Sequence, residues 1–276
     1  MMPMMPMMPM MPMMPMMSMM PMMPMMALTP QPTWCAPPKE LTLGDDQVHV
    51  WRASLDLPRS SVDALRQTLG LDEVERAERF RFGEDRSRFV VARGTLRGVL
   101  ARYLQTTPEK ISFCYGQRGK PHLVGESGAA ALQFNVAHAE GLAFVAVARG
   151  RRIGVDVEWV DWDLAALEIA ERFFSPGEIV ALRQLPPEAR VEGFFNGWTR
   201  KEAYIKARGD GLSLPLDRFD VSLAPGEPAA LLSTAWDPEE GSRWWLRELA
   251  PGPGYVGAVA VEGRGWELEC WQWDGV

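Results

Sequence analysis

The sequence predicts an α+β protein made of two halves. Segments with helical periodicity and short segments in which apolar and polar residues alternate occur on both sides of the turn Gly150-Arg151-Arg152. The strands of each half look antiparallel, which favours α+β over an alternating α/β arrangement. No sequence repeat relates the two halves. We therefore predict one half at residues 39–150 and the other at 151–276, preceded by a tail and lead-in at 1–38.

The tail repeats Met-Met-Pro, is interrupted once by Ser18, and holds all 18 methionines of the chain within its first 26 residues. The recurring proline argues against a membrane helix, and there is neither a basic region nor an unbroken apolar core of a signal peptide. We interpret the repeat as disordered or as lying outside the native protein, with Met26 as the start. A polyproline-II-like arm is the alternative. Residues 27–38 form an extended lead-in.

The first half is predicted to open with a strand at His49–Leu55, where apolar and polar residues loosely alternate. A good N-cap position after Leu71 starts one of its helices. The predicted helices are Ser61–Leu69, Asp72–Phe82 and Asp85–Leu104, and the predicted later strands are Ile111–Tyr115, Leu132–Val136 and Leu142–Val147.

The second half is predicted to open with the strand Ile153–Val160. Ser175 as N-cap, Pro176 at the first helical position and Glu178 at the third together mark the start of a helix. Other helices are predicted at Leu164–Phe174 and Glu188–Ala207, and strands at Phe219–Leu223, Trp244–Leu249, Tyr255–Val261 and Trp266–Trp273.

Composition excludes several classes of function. A net charge of −7 does not suggest nucleic-acid binding, and no run after the tail is long and apolar enough to span a membrane. The three cysteines, Cys35, Cys114 and Cys270, are too scattered for a disulfide framework or a zinc site. We expect a soluble, cytoplasmic protein.

One segment is strongly basic despite the acidic total. It predicts either a local anion site or a solvated helix surface, paired with Glu75, Glu78, Glu84 and Asp85. Its arginines are Arg76, Arg79, Arg81, Arg86, Arg88, Arg93, Arg97 and Arg102.

Asp156 and Glu158 lie two residues apart in a predicted strand, so their carboxylates point to the same face. Adjacent carboxylates repel, and a cation between them relieves this repulsion. Their hard oxygen atoms suit Mg²⁺ or Mn²⁺. An edge strand with two exposed acids is the alternative interpretation.

Trp198, Glu202 and Lys206 are spaced by four residues on one face of a predicted helix. Glu202 could complete a metal shell or accept a proton, and Lys206 could neutralise charge on a phosphate. A surface Glu–Lys pair is the alternative. Lys120, in a Gly-Lys-Pro turn, and His138, at a strand end, could also meet phosphate, although each could equally be solvated or packed.

Taken together and in this order, these motifs resemble the surfactin-type (Sfp-type) phosphopantetheinyl transferases. The resemblance covers most of Val48–Leu223. The motifs are RFRFGEDRSRFVVARGTLR at 79–97, GKPHL at 119–123, FNVAH at 134–138, IGVDVE at 153–158, FFSPGE at 173–178 and WTRKEAYIKARGDGLSLPL at 198–216.

The resemblance implies two similar α+β halves related by a pseudo-twofold axis, with coenzyme A between them. It implies that Asp156, Glu158 and Glu202 hold Mg²⁺ with the pyrophosphate of coenzyme A. It further implies that Lys206 contacts the pyrophosphate, Lys120 and His138 hold the adenosine end, and Arg76 and Arg79 reach the 3′-phosphate.

The implied reaction moves phosphopantetheine from coenzyme A to a serine of an apo acyl or peptidyl carrier protein, and the enzyme would act as a monomer. Glu202 is the candidate general base, directly or through a water. A metal-bound carboxylate is a poor base, so its two roles compete and both stay open. Which carrier proteins are modified also stays open.

One departure from the family stands out. Ala137-His138-Ala139 replaces the usual Ser-His-Ser, so one phosphate donor is missing, and we expect weaker coenzyme A binding. A non-catalytic coenzyme A or carrier-binding relative is therefore the main alternative function. An unrelated nucleotide-binding protein is disfavoured, because neither a Walker nor a Rossmann glycine motif is present in its strand–turn–helix context.

Overall fold

The computed structural model describes residues 33–116, 119–125, 128, 131–209, 211 and 214–275. Within these residues helices and strands are mixed, which confirms the α+β class. The Met-Met-Pro repeat and the start of the lead-in, up to residue 32, lie outside the described residues, and so do the predictions made for them. None of the helices in the described part of the chain has the length and apolarity needed to cross a membrane.

The predicted elements are present with shifted ends, whereas two short strands, β3 and β8, and the one-turn helix α7 were not predicted. The helices are α1 (Arg59–Arg66), α2 (Leu71–Glu78), α3 (Gly83–Leu104), α4 (Ala166–Phe173), α5 (Pro176–Gln184), α6 (Arg190–Arg208) and α7 (Glu240–Arg243). The strands are β1 (Gln47–Ser54), β2 (Phe113–Tyr115), β3 (Pro121–Leu123), β4 (Leu132–Ala139), β5 (Leu142–Arg149), β6 (Ile153–Trp159), β7 (Phe219–Val221), β8 (Leu231–Thr234), β9 (Trp244–Leu249), β10 (Tyr255–Glu262) and β11 (Glu267–Gln272).

The first sheet has the strand order β11-β1-β5-β4, and α3 packs against it through Leu96, Val99 and Leu100. Its strand β11 comes from the end of the chain and pairs in parallel with β1. The last strand of the sequence thus completes a sheet that otherwise belongs to residues 47–149. The division of the chain at residue 150 remains a prediction, and this strand crosses it.

The end of the predicted lead-in also belongs to the folded body. The Cys35 N–H donates a hydrogen bond of 3.0 Å to the Cys270 carbonyl oxygen in β11. The Trp34 ring stacks on the Phe144 ring with centroids 5.3 Å apart. Ordered packing therefore begins before residue 39, where composition alone placed the first half.

The second sheet, β6-β10-β9, is antiparallel, and α6 packs against it. The predicted helix start at Ser175 is confirmed: its hydroxyl accepts from the Glu178 N–H at 3.1 Å, and the Glu178 carboxylate accepts from the Ser175 N–H at 3.0 Å. Helix α6 ends at Gly209, which has φ = 80°. A left-handed residue at this position suits glycine because it has no Cβ.

The two sheets meet at their edge strands β4 and β6. The Asn135 Oδ1 atom in β4 accepts a hydrogen bond of 2.9 Å from the Val155 N–H in β6. Behind this contact, Val50 and Phe144 of the first sheet share an apolar cluster with Val155 and Val259 of the second. This junction sets the strand that ends near His138 beside the strand that carries Asp156.

Helix α3 is buried on nearly all sides, and two of its arginines are not on a basic surface as the sequence suggested. Arg93 Nε and Arg97 Nε each lie 2.5 Å from a carboxylate oxygen of Glu73, which is itself 2% exposed. Arg88 instead pairs with Glu84, as predicted for that surface, and with Asp56. Much of the basic segment is therefore structural, and the acid that holds its centre is Glu73.

Candidate functional site

Strand β6 presents the two predicted carboxylates at the junction of the sheets. Asp156 is 4% exposed, whereas Glu158 is half-buried nearer the strand end. The alternate residues Val155 and Val157 point into the core and are at most 1% exposed. The strand alternation inferred from the sequence is therefore present, although the two acids are more deeply set than an exposed edge would allow.

Helix α6 brings Glu202 and Lys206 to this strand because Gly154 lets the two backbones approach closely. A Cβ atom at Gly154 would lie 2.1 Å from the Ala203 carbonyl oxygen and 2.3 Å from the Ala207 nitrogen. Only a residue without a side chain fits there. As a result, the Lys206 Nζ atom lies 2.5 Å from Asp156 Oδ1.

The three predicted carboxylates influence one another electrostatically. Burial, with smaller contributions from the charges of Glu158 and Glu202, raises the pKa of Asp156 to about 7 despite the opposing effect of Lys206. Burial also raises the pKa of Glu158, while the nearby Lys206 ammonium and a hydrogen bond from the Trp198 indole lower it. Asp156, Glu158 and Glu202 are thus close enough to influence one another, and Lys206 is a basic neighbour of Asp156 and Glu158.

These residues fit a hard divalent cation by type and by one unsatisfied atom. The Asp156 Oδ2 atom is buried without a hydrogen-bond partner among the described residues, and carboxylate oxygens are the donors that Mg²⁺ prefers. No group of three or more His, Cys, Asp or Glu side chains in the described ranges is arranged to hold a metal ion. The Lys206 ammonium is the counter-charge of Asp156 in this arrangement.

Basic side chains also approach the end of β4, where His138 lies. His138 is exposed at the end of β4, and its pKa is lowered first by desolvation and then by the charges of Lys206 and Arg76. The Arg76 guanidinium lies over the Phe89 ring, 5.4 Å from its centroid. Lys206 and Arg76 therefore lie close enough to His138 to act on its charge, and the contacts of these residues with coenzyme A remain predictions.

Arg79 and Lys120 are placed differently from these. Arg79 is the exposed C-cap of α2, and no described contact ties it to the other site residues. The Lys120 ammonium donates to the Lys206 carbonyl oxygen at 2.7 Å and to the Ile153 carbonyl oxygen at 3.3 Å. Burial lowers the pKa of Lys120 to about 8. A contact of either residue with a ligand stays a prediction.

Two adjoining cavities open around the site, and both are lined by His138 and Glu140. One, of about 500 Å³, is also lined by Ala139, Glu158, Trp159 and Asp161. The other, of about 310 Å³, is also lined by Leu55, Phe80, Asp85, Arg88 and Phe89. A cleft with a carboxylate wall and a partly apolar wall can accept a long ligand that is charged at one part and apolar at another.

Two contributors to the site, Trp198 and Asn135, were given no role from sequence, and a third position, Ala137, was noted there as a departure from the family pattern. The Trp198 indole donates a hydrogen bond to the Glu158 carboxylate. The signal for this role in the sequence was the position of Trp198 four residues before Glu202. Asn135 joins the sheets, but nothing local marks that role. Ala137 lies in the apolar cluster between the sheets at 5% exposure, so the position that lacks the family serine faces the junction.

Comparison with known proteins gives the same family over both halves. Residues 152–260 match the model of the 4′-phosphopantetheinyl transferase superfamily, and residues 53–150 match that of the 4′-phosphopantetheinyl transferase N-terminal region. The 4′-phosphopantetheinyl transferase HetI of Nostoc sp. is 42% identical over 243 residues, which cover 88% of this chain and 99% of that protein.

More distant relatives agree. The 4′-phosphopantetheinyl transferase Sfp of Bacillus subtilis is 32% identical over 191 residues, covering 69% of this chain and 80% of Sfp. A putative 4′-phosphopantetheinyl transferase of Synechocystis sp. is 33% identical over 200 residues, covering 72% and 78% of the two chains. With its motifs assembled around one cleft and near-complete coverage of a relative, the chain belongs to the 4′-phosphopantetheinyl transferase superfamily and is an enzyme of that type.

Proposed function

We propose that this enzyme transfers the 4′-phosphopantetheine group of coenzyme A to a serine of apo acyl or peptidyl carrier proteins, with release of 3′,5′-ADP. The observation that carries the proposal is the ion pair of Lys206 with the buried Asp156 at the junction of the two sheets, with Glu158 and Glu202 close enough to act on the charge of Asp156. Binding of an anion alone would not call for acidic side chains, whereas carboxylates beside a lysine suit a metal-assisted transfer at phosphorus.

Asp156, Glu158 and Glu202 would hold Mg²⁺ with their oxygen atoms. When bound, the ion supplies positive charge that offsets the pyrophosphate of coenzyme A and the charge that develops during transfer. The free acceptor on Asp156 supports this assignment. Lys206 lies beside Asp156, and from that position its ammonium would contact the pyrophosphate.

His138 and Arg76 would hold the 3′-phosphate, because they lie together at the cation-rich end of the cleft. Arg79 would add a further positive charge from the end of α2. Lys120 was assigned to the adenosine end from the family resemblance. Its ammonium donates to two backbone carbonyl oxygens, which favours a role in holding those backbones.

The reaction forms a bond between the carrier serine oxygen and the β-phosphorus of coenzyme A. The bond from that phosphorus to the oxygen bridging it to the α-phosphate breaks, and 3′,5′-ADP leaves with the bonding electrons. The serine proton passes to Glu202, directly or through a water, or to another acceptor where Glu202 binds the metal. Lys206 stabilises the negative charge on the leaving phosphate.

The partners proposed are coenzyme A and acidic carrier domains, which a surface with arginines would help to steer. All three cysteines of the chain are free, which fits a reducing, cytoplasmic setting. We propose, from the family resemblance, that the enzyme acts as a monomer.

Transfer itself is the decisive test. Purified protein is incubated with apo carrier protein, coenzyme A and Mg²⁺, and the mass of the carrier is measured. We expect a gain of one phosphopantetheine, which a chelator abolishes and excess Mg²⁺ restores. Glu202→Gln should remove the gain, whereas Glu188→Gln, at an exposed position just before α6, should keep it.

Ala137 and Ala139 favour one other function, a non-catalytic relative that binds coenzyme A or carrier proteins. That function would be supported by measurable coenzyme A binding without any transfer to fatty-acid, polyketide or peptide-synthetase carriers. In that case, the transferase proposal is overturned.

A further inference from the structure

Lys120 stands in a hairpin turn of the first half and reaches into the second. The Gly116 N–H donates to the Lys120 carbonyl oxygen at 3.0 Å, and the Gly119 N–H donates to the Gly116 carbonyl oxygen at 2.9 Å. Gly119 has φ = 77°, a conformation that glycine adopts without strain. The backbone of Lys120 is therefore fixed, and its side chain has a defined direction.

The ammonium of this lysine ends on the two backbones that form the catalytic junction. One partner is the carbonyl oxygen of Lys206, in the last turn of α6, and the other is that of Ile153, the first residue of β6. The last carbonyl groups of a helix have no partner within the helix. A cation there satisfies one of them and also interacts favourably with the helix dipole.

Both carbonyl groups belong to residues close to the salt bridge between Lys206 and Asp156. The residue whose carbonyl oxygen is held, Lys206, is the one whose side chain contacts Asp156, and Ile153 begins the strand that carries Asp156 three residues later. Gly154, the residue after Ile153 in β6, has no side chain, so no side chain at this position holds β6 and α6 apart. One ammonium therefore ties together the two elements at the point where they approach most closely.

We propose that Lys120 is a positioning residue for the transfer reaction, which holds the end of α6 on β6 and thereby keeps Lys206 beside Asp156. The proposal rests on the transferase function proposed above. It differs from a contact with coenzyme A in its consequence: loss of the ammonium should slow the chemical step and leave nucleotide binding nearly intact.

Lys120→Met keeps an unbranched apolar side chain that is one atom shorter and removes its hydrogen-bond donors. We expect kcat for transfer to fall about 10- to 100-fold, since a displacement of about 1 Å at a catalytic group has effects of this size. The dissociation constant of coenzyme A, measured by calorimetry without carrier protein, should change less than about threefold. Lys120→Arg retains donors for both carbonyl groups and should recover most of kcat. The exposed Lys110→Met variant is the matched control.

A double-mutant cycle tests whether Lys120 acts through Lys206. Residues that act as a unit have non-additive effects. Lys120→Met should therefore reduce kcat by less than about twofold in a Lys206→Met background. Thermal unfolding of each variant establishes that the protein is folded, and Lys120→Gln serves as a milder change if Lys120→Met does not fold.

Two results would overturn the proposal while the transferase function stands. The first is a weakened affinity for coenzyme A with unchanged kcat, which would place Lys120 on the nucleotide. The second is full additivity with Lys206→Met. Absence of transfer by the unmodified chain would instead overturn the proposed function, and this role with it.

Discussion

Lys206 in α6 forms a salt bridge with Asp156 in β6, the edge strand of the second sheet, with 2.5 Å between Nζ and Oδ1. The aspartate is 5% exposed and the lysine 30% exposed at their side chains, so the pair is shielded mainly on the acid side. This single contact couples the packing of α6 on β6 to the electrostatics of the candidate metal site.

Lys206→Met should destabilise the protein by about 1–3 kcal/mol, because it leaves a buried carboxylate without its counter-charge. Adding Asp156→Asn should recover at least half of that loss, since no charge then remains to be compensated. Urea unfolding of both single variants and the double variant measures this coupling. Purely additive losses would show that the two side chains contribute independently.

Gly154→Ala should cost about 3 kcal/mol or more. The added Cβ meets backbone atoms of α6, which cannot move aside as a flexible side chain can. We also expect kcat to fall, because α6 carries Glu202 and Lys206. The control is Gly83→Ala, where nothing lies within 4 Å of the new atom. A thermal unfolding curve for Gly154→Ala that matches the control would contradict the close approach.

Glu73→Gln should destabilise the protein by about 3–5 kcal/mol, because two largely buried guanidinium groups would lose their shared carboxylate. The exposed Glu75→Gln on the same helix should stay within about 0.5 kcal/mol of the unmodified protein. Chemical denaturation at neutral pH distinguishes them. Equal midpoints would mean that Arg93 and Arg97 find other partners.

The three thiols should differ in reactivity. Burial raises the pKa of Cys270 to about 12, whereas Cys35 and Cys114 are exposed. The thiolate is the reactive form, so DTNB at pH 8 should modify the two exposed cysteines rapidly and Cys270 only after denaturation. In the denatured Cys270→Ala variant, the number of thiols that DTNB modifies should fall by one. Rapid modification of Cys270 in the native protein would argue against the placement of β11.

Local signals in the sequence were sufficient for several parts of this structure. The start of α5 follows from Ser175, Pro176 and Glu178, since capping depends on neighbours within one turn. The shared face of Glu202 and Lys206 follows from the helical period. The motifs around these residues also indicated the family, and the comparisons confirmed it.

Other parts required contacts between residues far apart in sequence. The pairing of β11 with β1 joins the two ends of the fold, and no local pattern specifies a partner strand. The two strands that were not predicted, β3 and β8, pair with β2 and β7 in separate two-stranded sheets, and no local pattern specifies such partners.

The same limit applies to the buried charges. A lysine in a turn looks solvated in sequence, yet the ammonium of Lys120 binds a carbonyl oxygen 86 positions away, and Glu73 meets arginines 20 and 24 positions away. The sequence by itself determined which residues bear charge and which face of its own helix or strand each occupies, because those depend on neighbouring residues. Only the tertiary structure decided which charges are buried together, because burial and pairing depend on how the elements pack.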